Sequence, residues 1–408
     1  MLGRTGAQVN GNLSVHIGAT VKPKRILILS YFYEPDLSAC SFRTAALVRY
    51  LADLYPDIEI DVVSTAPSRY ASYKPEVKSR VASNVNISRV DVADVGFGFM
   101  GELFSFAKYA FHIRSFISDK EYDLVYATSA KLGTSVLARV IAKKKAAKLY
   151  LDIRDLLSDN MEHMFHPCVH IPLLPIIRKL EQYAFSGANR INAVSGGFTR
   201  HLETFVSSDC IRQFTNGIDD GFSTLRLRKR SDRPLRIVYA GNLGTCQALH
   251  KIVPELAQRA NVRITVVGDG RDAKKLTNEL LKKRVNNVEV HPPVPRAELS
   301  NYYEDADVLF LHLDSFENLS RVIPSKVFEY AATGLPMICG VQGFTRKFIE
   351  TNISNAATFP PNDVDGCISK LSSLRLEVSS REVFCARFSR KKIMSEMTSD
   401  IGNLLFQS

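Results

Sequence analysis

At 408 residues the chain is longer than one hydrophobic core supports, so its length predicts two domains. A composition of 45% hydrophobic and 23% charged residues excludes a disordered or fibrous chain, and no apolar run approaches the roughly 18 residues of a membrane span. The formal net charge of +11 favours anionic partners such as nucleotides or anionic lipid, and its even spread along the chain gives no nucleic-acid stripe. The seven cysteines are scattered with no CxxC pair, which points to free thiols in a cytoplasmic chain rather than to disulfides or a zinc site.

Residues 1–22 contain no acidic residue and no apolar core, and read as a disordered lead-in. From there strand and helix alternate. "KRILILSYFY" (24–33) is a nearly continuous apolar run, as a strand covered on both faces requires. A helix from Ser41 to Leu54 and strands at 58–65, 122–129, 148–153 and 190–195 complete a domain over 23–212. Within it, 98–117 carries five phenylalanines interleaved with Lys108, His112 and Arg114. It reads as a buried helix, with docking on an anionic bilayer left open.

The charged stretch 213–234 is the predicted linker. Strands at 235–241, 263–270 and 307–313, separated by helices, define a second domain over 235–385. The last segment, 386–408, follows a completed sheet pattern and reads as a helix packing back towards the N-terminal domain. The fold class is therefore α/β: two Rossmann-like parallel-sheet domains facing across a cleft. A ligand belongs at the carboxyl ends of the strands in that cleft.

The informative loops fall at those ends. "GNLGTCQ" (241–247) places Gly241 and Gly244 between a buried strand and a helix, either to let backbone N–H groups approach a phosphate or to make a tight turn. "VGDGRD" (267–272) has Gly268 and Gly270, against which a flat base could lie, with Asp269 as a turn or capping residue. "LDIRDLLSDN" (151–160) clusters Asp152, Arg154, Asp155 and Asp159, which can orient sugar hydroxyls or simply cap and pair. "EPDLSACSFRTA" (34–45) brings Ser38 and Ala39 to a helix start.

In "VIPSKVFEYAATGLPMICG" (322–340), Pro324 suits the first helical position and Gly334 the position just past the end. Lys326 and Glu329 then share one face of a helix wedged between apolar strands. There a lysine could meet a phosphate and a glutamate could accept two ribose hydroxyls.

These motifs together, with "SYFYEPDLSA", "YDLVYATSA", "VSGG" and "TNGID" in the same order and spacing, resemble the retaining glycosyltransferases of family 4, of GT-B fold. The resemblance runs from about Lys24 to Leu405 and is strongest to the bacterial branch that builds surface polysaccharides. It implies that Glu329 holds the nucleotide ribose. Lys326, Ser325 and the loop of Gly241, Asn242 and Gly244 would surround the diphosphate, and the loop of Gly268, Asp269 and Gly270 would face the base. Lys326, Asp155 and Arg154 become the catalytic candidates, with Ser38, Ala39, Asp152 and Asp155 on the acceptor side.

Two positions depart from the family pattern. Arg321 stands where many members carry a glutamate that contacts the donor sugar, and Gln247 stands where many carry a basic residue. The resemblance further implies a nucleotide-sugar donor, UDP-sugar favoured, and a glycan or lipid-linked saccharide acceptor; the donor loops carry no DxD-type acidic pair, which points to no metal or other cofactor, and residues 98–117 with the net charge leave open a peripheral contact with an anionic membrane. Two other readings stay open: a non-catalytic GT-B partner of another transferase, and a sugar-nucleotide epimerase.

Overall fold

A computed structural model describes residues 22–36, 38–67, 82–92, 98–129, 131–164, 166–219, 234–295 and 298–407. Residues 1–21 of the predicted lead-in and 220–233 of the predicted linker lie outside the described residues. The N-terminal domain is a parallel sheet of β1 (Arg25–Leu29), β2 (Glu59–Thr65), β3 (Val85–Val90), β4 (Leu124–Thr128), β5 (Lys148–Ile153), β6 (Arg190–Ala193) and β7 (Ile211–Arg212). Their spatial order is β3-β2-β1-β4-β5-β6-β7. The C-terminal domain repeats the design with β8 (Leu235–Ala240), β9 (Val262–Val267), β10 (Val288–His291), β11 (Val308–His312), β12 (Met337–Gly340) and β13 (Ala356–Phe359), ordered β10-β9-β8-β11-β12-β13. Both sheets reverse their winding direction beside their first strand, between β1 and β4 and between β8 and β11. Such a switch point opens a crevice at the carboxyl ends of the strands.

The N-terminal helices are α1 (Ala39–Leu54), α2 (Gly98–Phe116), α3 (Leu132–Lys144), α4 (Leu157–Met164), α5 (Pro167–Phe185) and α6 (Thr199–Leu202). The C-terminal ones are α7 (Leu249–Arg259), α8 (Ala273–Lys282), α9 (Leu299–Glu304), α10 (Ser325–Ala332), α11 (Gly343–Asn352), α12 (Val364–Ser373), α13 (Glu382–Arg387) and α14 (Arg390–Phe406). Alternation along β1 shows how the layers form. Ile26 and Ile28 point into a core shared with α1, whereas Leu27 and Leu29 point into one shared with α2, α3 and α5. That is why the strand reads as an unbroken apolar run.

Among the elements that the sequence pattern does not announce are β3, β7 and α5. Strand β3 is an edge strand, VNISRV, whose short alternation is broken by the adjacent polar pair Ser88 and Arg89. Strand β7 is two residues long. Helix α5 contains Pro172 and Pro175, residues that ordinarily end a helix.

Helix α14 joins the domains. Its Ser389 cap accepts from Lys392 N at 3.2 Å, and the helix then lies along α1. Arg212 Nε meets Asp400 Oδ1 at 2.9 Å and Lys148 Nζ donates to Leu404 O at 2.9 Å. Ile393, Met394, Met397 and Ile401 fuse Ile26 and Leu47 of one domain with Phe328 and Met337 of the other into a continuous apolar cluster. The described part of the predicted linker is no free tether: Ile218 N donates to Phe388 O at 2.8 Å, and Arg390 N donates to Ile218 O at 2.7 Å.

Candidate functional site

Helix α10 begins after Pro324, which at φ −62° and ψ 140° is still extended and so caps the helix rather than opening it. It stops because Gly334 turns left-handed, at φ +74°. Val327, Phe328, Tyr330 and Ala331 are fully buried, and the Tyr330 hydroxyl donates to Ala240 O at 3.1 Å and accepts from Ala240 N at 2.8 Å. The end of β8 is thereby bolted to α10. On the remaining face Lys326 Nζ reaches Glu329 Oε1 at 2.7 Å, and the Tyr303 hydroxyl from α9 donates to the same oxygen. The two charged residues thus pair with each other at the edge of α10. Glu329 is only 8% exposed, with its carboxylate oriented by two donors.

The loop after β8 packs against this pair. Leu243 N donates to Asp269 O at 2.9 Å, and Asp272 N donates to Leu243 O at 2.8 Å, so the loops after β8 and β9 are laced together. A Cβ on Gly268 would fall inside the Gly241 carbonyl oxygen, and one on Gly270 would lie 2.6 Å from Leu243 O. Close backbone approach is what these two glycines supply. Gln247 Oε1 accepts from Asn242 Nδ2 at 3.0 Å and from Gly244 N at 3.2 Å, so this neutral side chain shapes the loop from within.

Between the domains lies a cleft of about 390 Å³. Gly241, Asn242, Gln247, Gly268, Ser325, Lys326 and Glu329 line its C-terminal wall, and Ser38, Ala39 and Asp155 line the other. Pro293, Val294 and Leu299 add apolar side chains to its lining. Arg390, which sequence reasoning missed, lines the cleft beside Gly217 and is clamped by Asp219. No local signal marks Arg390, because its partners come from a distant loop.

The other predicted residues sit elsewhere. Gly244 and Gly270 serve the loop packing, and Asp269 Oδ1 accepts from Gly270 N at 2.7 Å. Asp152 is wholly buried, bound by Arg43 Nε at 2.9 Å and Asn192 Nδ2 at 2.6 Å. Burial alone would raise its pKa, but the Arg43 guanidinium holds it below the usual carboxylate range. Arg43 in turn donates to Thr215 O at 2.6 Å, which ties the inter-domain crossing to α1. Arg154 Nη2 turns to Asn216 Oδ1 at 3.3 Å, away from the cleft lining. Arg321 crosses to the N-terminal domain, where Nη1 meets Asp159 Oδ2 at 2.5 Å and its carbonyl accepts from Ser195 Oγ at 2.5 Å.

The histidines bear on acid–base chemistry. His312 lines the cleft, but Nε2 accepts from Asn362 N at 3.0 Å and Nδ1 donates to Gln247 O at 2.7 Å. Burial lowers its pKa to about 4, so the ring is a neutral structural bridge. His250 faces a carboxylate, Asp272 at 3.8 Å, yet lies outside the cleft lining. Neither is placed as the acid–base partner an epimerase needs.

Residues 234–375 match the family described as glycosyl transferases group 1. This stretch is the C-terminal domain with α10 and the two glycine loops. Among curated proteins, the sulfoquinovosyl transferase SQD2 of Arabidopsis thaliana is 23% identical over 193 residues, 44% of this chain and 36% of that protein's length. Among solved structures, sucrose-phosphate synthase from Thermosynechococcus elongatus superposes with a TM-score of 0.75 at 14% identity, covering 94% of this chain and 100% of that one. HepE of Anabaena, solved in complex with UDP and glucose, gives a TM-score of 0.64 at 17% identity, over 93% of this chain and 100% of that one. The fold shared with these structures is the two-domain GT-B arrangement.

Proposed function

We propose that the protein transfers a sugar, a hexose or N-acetylhexosamine, from a nucleotide-diphosphate donor to a glycan or lipid-linked saccharide in polysaccharide biosynthesis. The observation that carries this reading is the pair Lys326–Glu329, set at the start of α10 and facing the Gly241–Gln247 loop inside the inter-domain cleft. Ribose hydroxyls donate to Glu329, which Tyr303 keeps oriented, and Lys326 turns to the diphosphate. Breaking the glycosyl–phosphate bond puts negative charge on the departing diphosphate. The first N–H groups of α10, the amides of the Gly241 loop and Lys326 oppose that charge as fixed dipoles and a cation, without calling on a metal. Asp155 on the facing wall accepts from an acceptor hydroxyl, and the transfer proceeds with retention from the leaving-group side. UDP-sugars come first as donors, because a protein of the same fold binds UDP and glucose in the solved complex.

Incubating the purified protein with UDP-, GDP- and ADP-sugars, with and without EDTA, and following release of the diphosphate tests this directly. Release from one donor class, unchanged by EDTA, is the expected result; no release from any donor contradicts it. A second reading, a non-catalytic nucleotide-binding partner, is favoured by one observation. Arg321 is committed to Asp159 instead of the cleft, and no basic residue replaces Gln247 in its loop. Nucleotide binding without any turnover is its signature.

A further inference from the structure

Helix α5 turns an apolar stripe outward, with Ile176 and Leu180 on it, and buries only Glu181, Ala184 and Phe185. The glutamate is the odd member of that trio. It is 1% exposed, no lysine or arginine among the described residues pairs with it, and its Oε2 has no hydrogen-bond partner among them. Burial holds its pKa above the usual carboxylate range, although the bond from Ser158 and the nearby His201 both lower it. An acid buried without a cation carries a desolvation cost that a leucine in its place would not.

Its one bond explains why the acid is kept. Glu181 Oε1 accepts from Ser158 N at 3.0 Å. Ser158 is the second residue of α4, so its N–H is among those that a helix leaves without an internal partner. The residue before α4 is Leu156, whose side chain has no oxygen to meet them. A carboxyl group at this end also lies at the positive pole of the helix dipole. The cap of α4 is thus supplied by α5, from 23 residues further along the chain.

The start of α4 makes the N-terminal wall of the cleft. Strand β5 ends at Ile153, α4 begins at Leu157, and Asp155 on the turn between them lines the cleft. Ser129 Oγ holds the near side of that turn, accepting from Arg154 N at 2.8 Å, and Leu156 is anchored in the core. Glu181 holds the far side, next to Asp159, which reaches across to Arg321. Glu181 itself lies outside the cleft lining. We propose that Glu181 is a positioning residue for the acceptor: by capping α4 from behind, it fixes the turn on which Asp155 meets the acceptor hydroxyl. The proposal rests on the sugar-transfer reading, in which Asp155 accepts from that hydroxyl.

Glu181→Leu and Glu181→Gln in the full chain separate positioning from support of the fold. Leucine removes both the buried acid and the bond to Ser158, two changes of opposite sign for stability, so this variant should melt near the parent. Its release of diphosphate from UDP-glucose, with water as acceptor, should fall at least about tenfold, while its affinity for UDP stays within about twofold. Glutamine keeps an oxygen for Ser158 N and should recover most of the rate. Hydrogen exchange reads the turn without any turnover: amides of residues 154–160 should exchange at least about tenfold faster in the leucine variant, and those of α10 at the parent's rate. Four results overturn the proposal. One is a leucine variant with the parent's rate and exchange. Another is a UDP affinity that falls together with the rate. The third is a glutamine variant no better than leucine, and the fourth is a leucine variant that does not fold, since Glu181 would then serve the fold itself. A parent that releases no diphosphate from this donor or from GDP- and ADP-sugars contradicts the transfer reading alone, and the exchange of residues 154–160 still decides whether Glu181 fixes the turn.

Discussion

Helix α10 buries six of its eight residues and still keeps a lysine and a glutamate at its edge, whereas α5 buries three of nineteen and is built mainly from valine, isoleucine, leucine and proline. Each departs from ordinary partition in the opposite direction. Charge held against a core costs desolvation, so it persists where a partner needs it. Apolar surface left in water persists where something else will cover it. The two helices thus mark two different surfaces: a cleft edge where a charged pair is kept and an outer face where apolar side chains stay exposed. The buried pair Arg43–Asp152 shows where this reasoning must be checked, because there the charge serves the fold itself.

The predictions separate these cases. Asp152→Ala would leave the Arg43 guanidinium buried without its carboxylate and should cost about 3–5 kcal/mol of stability, read by denaturant unfolding. An unchanged midpoint would return Asp152 to the list of candidate ligand contacts. His312 gives the next effect. Its folded pKa of about 4 lies below the ordinary value of 6.5, so the unfolded chain binds the extra proton first. Stability tied to it is present above pH 6.5 and lost as pH falls towards 4, by about 3 kcal/mol in total. His312→Gln should flatten that part of the pH–stability curve, and an identical slope would show that the ring does not carry it.

A smaller effect belongs to Arg321. Its pair with Asp159 is partly exposed, so Arg321→Ala should cost less than about 1 kcal/mol of stability. The reversal R321D/D159R should recover most of that loss if the pair acts between the domains. Smallest of all, Ile176→Gln on α5 should shift stability by no more than about 0.5 kcal/mol. A large loss there would mean that the stripe is core after all, and the contrast with α10 would fail.

Much of this was legible in the sequence. The strands announce themselves because parallel strands covered on both faces become unbroken apolar runs, and α10 does so through Pro324, Gly334 and its lone charged pair. The glycines of the two loops were visible as special positions. Their use in packing Gly268 against Gly241 was not, since that depends on how two strands sit side by side. Arg390 and the Arg321–Asp159 pair were hidden for the same reason: each joins segments far apart in the chain. Helix α5 was obscured by Pro172 and Pro175, and β3 by its polar edge position. The sequence motifs brought Lys326 and Glu329 to one face, but only the fold shows them bound to each other with Tyr303.

The central claim is that Glu329 holds the ribose of a nucleotide donor. Calorimetric titration of UDP and UDP-glucose into the parent protein and into Glu329→Ala tests it most directly. The account predicts binding to the parent and a loss of at least about a hundredfold in the variant, near 2.7 kcal/mol, with the melting transition retained. Equal affinity in both proteins would remove Glu329 from the site and contradict the account.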